Sequence, residues 1–178
     1  MNPIDLIKKY YDPQSEAYKI LIDHSDSVTR KAVDLALKHP ELDIDIDFVK
    51  EAGMLHDIGI IMTDAPRIHC YGEYPYIAHG YLGSEILKKE GYLHHALVCE
   101  RHTGTGMTLE EIIEQNLPIP HREMMPLSIE EQVICFADKF YSKTKLGQEK
   151  STDDIIKYLA RFGDRPVNQF ICWMNMFL

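Results

Sequence analysis

His56 and Asp57 stand side by side in the apolar run Ala52-Gly53-Met54-Leu55-His56-Asp57-Ile58-Gly59. Imidazole nitrogen and carboxylate oxygen are both ligands for divalent cations, and both are costly to bury without a partner. An unpaired carboxylate beside Met54, Leu55 and Ile58 would cost several kcal/mol or shift its pKa strongly, whereas a cation would stabilise both side chains. The dipeptide alone also fits an ordinary core hydrogen bond, so its meaning depends on what accompanies it.

Four further residues of ligand type interrupt apolar stripes: His24, His79, His102 and Asp138. His24 follows Ile20 and Leu21 by four and three positions and precedes Val28 by four, which on a helix turns it to the apolar face. The same spacing groups Asp138 with Ile134 and Tyr141, His79 with Leu82 and Ile86, and His102 with Val98. One inward histidine is usually a satisfied core residue. Four histidines and two aspartates pointing into one small core are hard to satisfy in pairs, because every buried polar atom needs a partner, and a shared metal centre satisfies them together.

The elements that must carry these residues are helices. Apolar residues recur at three and four positions, and the alternating stretch Leu42–Asp47 is short and leads into a helix, so an all-α fold follows. Asn2-Pro3 reads as an N-cap with proline in the first turn, and Asp47 precedes the helix leading to His56. Thr108 with Glu111 and Ser128 with Glu131 read as capping boxes, the second opening the helix of Asp138. Gly91 suits the end of the His79 helix. The Pro- and Gly-bearing segments near 60–76 and 117–127 read as loops; Ile60–Tyr76 reads first as an ordinary surface loop, with covering the cleft as the alternative.

The words Leu55-His56-Asp57-Ile58-Gly59, Ile77-Ala78-His79-Gly80 and Ala137-Asp138-Lys139 resemble those of the HD superfamily of metal-dependent phosphohydrolases, in its HDIG-type form, from about His24 to Asp138. The resemblance implies a helical bundle with a metal site in a central cleft. It implies a first metal on His24, His56, Asp57 and Asp138, with His79 and His102 extending the set to a second ion and Asp57 shared between the two. The reaction it implies is attack of a metal-activated water on phosphorus, with Asp57 at the reacting centre and no side-chain nucleophile. Arg101-His102-Thr103-Gly104 is similar, less specifically, to HD-type dinucleoside tetraphosphate hydrolases, which points to a nucleotide phosphoanhydride. The HD-GYP signature of cyclic dinucleotide phosphodiesterases is not evident.

Many HDIG-type members place a basic residue after the glycine, but this chain has Ile60. Phosphate contacts must come from elsewhere: Lys139 beside Asp138 and Arg101 beside His102 are the candidates by adjacency, although neighbouring helical residues diverge by about 100°. Arg30, Arg67 and His69 are further basic groups, with Arg30 and Arg67 read first as solvated positions.

With 178 residues and 45% apolar content, the chain suits one domain over 1–178, with the metal-site core near 14–145 and a C-terminal helical segment over 151–178. Core packing is the expectation for that segment, with a cleft wall or a dimer face as alternatives. A net charge of −9 argues against a broad face for duplex nucleic acid, while a local dication pair can still bind a small phosphate-bearing substrate such as a nucleotide. Cys70, Cys99, Cys135 and Cys172 show no CxxC spacing, the last three falling in apolar helical patterns where buried thiols are common. With no apolar membrane span and no signal-peptide pattern, the expected location is a reducing cytoplasm.

Histidine and carboxylate ligands without thiolate suit iron, manganese, zinc, cobalt or nickel, and the carboxylates also admit magnesium; two ions of iron or manganese are favoured. The leading reading is a phosphohydrolase. A mixed-valent di-iron oxygenase and a noncatalytic metal-bearing nucleotide sensor share the ligand pattern. Substrate, metal and oligomeric state are not legible at this level.

Overall fold

In the computed structural model, which describes residues 1–178, nine α-helices carry the chain: α1 Pro3–Ile7, α2 Glu16–Lys38, α3 Ile46–Leu55, α4 His79–Lys89, α5 Leu93–Arg101, α6 Leu109–Glu114, α7 Ile129–Asp138, α8 Thr152–Leu159 and α9 Asp164–Phe177. The only sheet is a two-stranded antiparallel pair, β1 Asp64–Ala65 with β2 Cys70–Tyr71. The all-α expectation holds, and the segment read as a loop over 60–76 gains this small pair together with short 3₁₀ turns.

Local chemistry sets the helix ends. The Asn2 side chain accepts from the Ile4 amide, with Pro3 at the first position. The helix leading to His56 starts earlier than expected: Asp45 is its N-cap, accepting from the Phe48 amide, and Asp47 lies in the first turn, where its charge favours the helix dipole. Thr108 and Glu111 form the full reciprocal box. Ser128 accepts from the Glu131 amide, but Glu131 turns its carboxylate to the Leu127 amide and Arg101, so the second box is half made. Gly91 follows α4 with φ +87°, a backbone that glycine adopts without steric penalty.

Two large apolar clusters form the core, with a smaller one around Ala78, Leu82, Ile112, Ile119 and Met124. Of the large clusters, one gathers Leu6, Ile7, Leu21, Leu55, Ile58, Ile60, Leu87 and Cys99. The other gathers Val28, Val49, Ala52, Val98 and the buried face of α7 against Phe170, Trp173 and Phe177 of α9. His24 lies between Leu21 of the first and Val28 of the second, and His56 follows Leu55 and Ala52, so the polar residues fall along the seam. No helix is long and apolar enough to cross a membrane. All four cysteines are free; Cys172, expected in a buried pattern, is exposed because α9 turns it away from the core that holds Trp173.

Candidate metal centre

Six side chains converge at the seam from five places in the chain. His24 comes from the middle of α2, His56 from the end of α3, and Asp57 from the turn after it. His79 opens α4, His102 caps α5 and Asp138 ends α7. Their ligand atoms form two groups, His24, His56, Asp57 and Asp138 in one and Asp57, His79 and His102 in the other, with all atoms of a group within 4.8 Å of one another. These are the residues singled out from the sequence.

Asp57 divides its oxygens between the groups. Oδ2 lies 3.1 Å from His24 Nε2 and 3.0 Å from His56 Nε2. Oδ1 lies 3.4 Å from His79 Nε2 and 3.3 Å from His102 Nε2. His24 Nε2 is also 3.0 Å from Asp138 Oδ1. Glycine at position 59 makes this approach possible: a Cβ there would fall 2.1 Å from the His79 carbonyl oxygen and 2.4 Å from the Gly83 nitrogen.

Three rings are aimed by one local device. The Nδ1 atoms of His56, His79 and His102 each lie 2.7 Å from the carbonyl oxygen three residues earlier, those of Gly53, Tyr76 and Cys99. A carbonyl can only accept, so Nδ1 carries a proton and donates; in the neutral rings of His79 and His102 this leaves the Nε2 lone pair facing Asp57, while His56, next to two carboxylates, holds a second proton on Nε2. His79 Nε2 and His102 Nε2 are then 3.1 Å apart. Two bare lone pairs at that separation repel each other unless a cation lies between them.

Electrostatics agree with a site built for cations. Burial lowers His79 to about 3 and lowers His102, favouring the neutral rings that ligate metals. Burial opposes a charge on His56 too, but the carboxylates of Asp57 and Asp138 outweigh it and raise the ring to about 9. Both carboxyls are held well below the usual range despite burial, Asp57 chiefly by Lys143 and His56, Asp138 chiefly by Lys139 and His24. The Asp57 oxygens and His56 Nε2 are buried without a well-formed hydrogen bond, the condition a metal ion would relieve. Nitrogen and oxygen donors without thiolate fit a first-row divalent ion.

The basic residues divide. Lys139 Nζ lies 2.8 Å from Asp138 Oδ2 and 3.3 Å from the His102 carbonyl oxygen, at the centre. Arg101 corrects its expectation as a catalytic group: its guanidinium binds both carboxylate oxygens of Glu131, at 3.1 and 3.0 Å, because the step of about 100° from His102 directs it to α7 instead of the cluster. Arg30 is 80% exposed beside Asp26. Arg67 lines the cavity in front of the cluster, whereas His69 sits exposed at a left-handed turn and does not.

Sequence reasoning missed Lys143 and Tyr76. Lys143 Nζ is 2.5 Å from Asp57 Oδ2, and Asp57 raises its pKa further although burial opposes the charge. It follows α7 in an irregular segment, where no periodicity separates it from the solvated Lys145. Tyr76 stacks on His79 with ring centroids 4.6 Å apart, completing the wall behind the second histidine pair.

The cluster opens into a cavity of about 1090 Å³ lined by His79, His102, Asp138, Lys139 and Lys143 on one side. Ile155, Tyr158, Leu159, Phe162 and Arg165 line the other, so α8 and the turn after it form a wall of the cleft as well as part of the core.

Relatives share this region. The uncharacterized protein MJ0778 of Methanocaldococcus jannaschii is 36% identical over 140 residues, covering 77% of this chain and 73% of that protein. The tRNA (cytidine(56)-2'-O)-methyltransferase of Picrophilus torridus is 32% identical over 128 residues, covering 71% of this chain and 33% of that protein. No solved structure matches. The HD domain family model matches residues 21–142, a span that holds all six converging side chains, and the chain belongs to the HD domain family.

Proposed function

We propose that the chain is a metal-dependent phosphohydrolase acting on a nucleotide or another small phosphate ester or anhydride. The observation that carries this reading is Asp57, whose two oxygens each face a separate pair of histidine Nε2 atoms at the floor of a large cavity. His24, His56, Asp57 and Asp138 would hold one ion, and Asp57, His79 and His102 a second, with iron or manganese favoured by the ligand set. Divalent cations so held lower the pKa of water and offset the charge on phosphoryl oxygens.

The chain's own residues supply the rest. The carbonyls of Gly53, Tyr76 and Cys99 fix the orientation of three rings; His79 and His102, kept neutral by burial, present a ligand lone pair without losing a proton, whereas His56 gives up its Nε2 proton when a cation binds. Lys139 and Lys143 bring two ammonium groups to the cavity floor, where they bind and orient phosphoryl oxygens. They replace the basic residue that Ile60 cannot supply, since Ile60 is buried in the apolar cluster with Ile58. The Picrophilus relative is matched over a third of its length, so its named methyltransferase activity is not carried over to this chain.

Anaerobic purification, metal analysis and assays of phosphate release and oxygen uptake test the reading. About two ions per chain, falling to about one in His79→Ala, with phosphate release and no oxygen uptake, is the expected result. Oxygen uptake dependent on reduced iron would point to the oxygenase instead. Tight nucleotide binding with neither activity would point to a sensor.

A further inference from the structure

The cavity is too large for the chemistry at its floor. At about 1090 Å³ it sits at the upper end of the range for small-molecule sites, whereas a phosphoryl group and its ions would occupy only the end beside His79, His102 and Asp138. The far wall comes from α8 and the turn after it, beyond residue 142 where the family match ends. Whatever that wall binds is therefore a property of this chain's C-terminal segment.

Helix α8 buries Ile155 and Leu159 and leaves Tyr158 on its adjoining flank, and the 3₁₀ turn after it carries Phe162. Tyr158 is 56% exposed and Phe162 is 51% exposed, yet both line the cavity. Their rings, four residues apart in sequence, meet edge to face with centroids separated by 5.4 Å. The Arg161 guanidinium lies 5.7 Å from the Tyr158 ring, which supports the tyrosine from outside. Two flat apolar surfaces held at the mouth of a charged cavity, and not folded into the core that α8 contacts, are a stacking platform.

The cavity that holds this platform and the metal cluster is also lined by cations that make no ion pair. Lys150 Nζ rests on the carbonyl oxygens of Lys139 and Tyr141, at 3.1 and 2.9 Å, and makes no ion pair. Arg67 lines the same cavity. A ligand matching this order has a phosphate at one end and an aromatic heterocycle at the other. Every nucleobase offers a π-face to such rings, so stacking selects the presence of a base more than its identity.

We propose that Tyr158 and Phe162 form a nucleobase-binding subsite, so that the segment outside the family-matched region restricts the enzyme to nucleotides. That the bound nucleotide is also the substrate rests on the phosphohydrolase reading above. The subsite itself does not.

The metal-loaded full chain is compared with the Tyr158→Ala/Phe162→Ala double variant, using AMP and ribose 5-phosphate, which differ only in the base. Both side chains are half exposed, so circular dichroism should show an unchanged fold. Saturation-transfer NMR is expected to show strong transfer to the adenine H2 and H8 protons in the wild type and its loss in the double variant. Tyr158→Phe with Phe162→Tyr should restore it. In phosphate-release assays, KM for AMP should rise by about tenfold or more in the double variant with kcat little changed, while ribose 5-phosphate is unaffected.

Equal handling of AMP by wild type and double variant, or no advantage of AMP over ribose 5-phosphate, overturns the subsite while metal-dependent phosphate release leaves the hydrolase standing. Adenine transfer that depends on the two rings, without phosphate release from AMP, ribose 5-phosphate or the anhydride ATP, supports the subsite and overturns the hydrolase. Absence of both overturns both.

Discussion

Helix α7 serves two regions with opposite physical characters. Phe136, on its inner face, packs against Phe140, Phe170 and Phe177 at centroid separations of 5.1, 5.1 and 5.6 Å. The polar atom nearby is satisfied, Trp173 Nε1 donating to Gln132 Oε1 at 2.9 Å. Two residues further on, Asp138 enters the seam, where buried nitrogens and carboxylate oxygens crowd together and several lack a hydrogen-bond partner. The aromatic region is complete with protein atoms alone. The seam is complete only with added positive charge, and in the chain itself Lys143 and Lys139 supply it. A region that stabilises the fold can satisfy itself, whereas one that performs chemistry keeps a demand that a ligand meets.

Asp57→Ala is expected to break this contrast most severely. It removes the carboxylate shared by both groups, so metal content should fall to near zero and phosphate release should drop beyond the about 10²–10³-fold cost of losing one electrostatic donor. Metal content equal to wild type, measured by elemental analysis, would sink the assignment of the centre.

Phe136→Ala tests the other region. Deleting a fully buried ring should cost about 3–5 kcal/mol in denaturant unfolding, while the surviving folded fraction keeps its metal content per molecule. Loss of metal from folded Phe136→Ala protein would show that the two regions are not separable.

Gly59→Ala joins backbone to chemistry, because its Cβ would meet the His79 carbonyl oxygen and the Gly83 nitrogen, neither of which can rotate away. The expected result is a displaced His79 and about 10–100-fold weaker binding of one ion, the scale on which disturbed ligand support acts. Metal titration would count one tight and one weakened site, and two sites of wild-type affinity would contradict the geometry.

Lys143→Met should cost about 1.5–3 kcal/mol, the worth of a hydrogen bond to a charged group, or about ten- to a hundredfold in kcat/KM. Unchanged kinetics would leave Lys143 as a partner of Asp57 with no part in substrate binding. At the other end, Arg30→Ala should change stability by no more than about 0.5 kcal/mol and leave activity intact, as its pairing with Asp26 at the surface implies.

Much of the site is legible in the sequence. His24, His56, Asp57, His79, His102 and Asp138 each break an apolar helical stripe, and a stripe states which way a residue faces even when its partner is far away in the chain. Helix caps were legible for the same reason: Thr108 and Glu111 act within one turn. One difference is local, since Asp45 and not Asp47 caps its helix two residues earlier; the other depends on more than one element, because Glu131 leaves its box to pair with Arg101, an interaction between α5 and α7 that no local rule contains.

Residue type and periodicity by themselves determined the all-helical class, the ligand set and its inward face, because these follow from chemistry and from the 3.6-residue turn. The resemblance implied that Asp57 would be shared; tertiary structure alone decided which oxygen faces which pair of rings, that Lys143 and not Arg101 would reach it, and that Tyr158 and Phe162 would stand at the cavity mouth. Each of these depends on the rotation and spacing of separate helices, which are set by how the two apolar clusters pack and are absent from any local pattern.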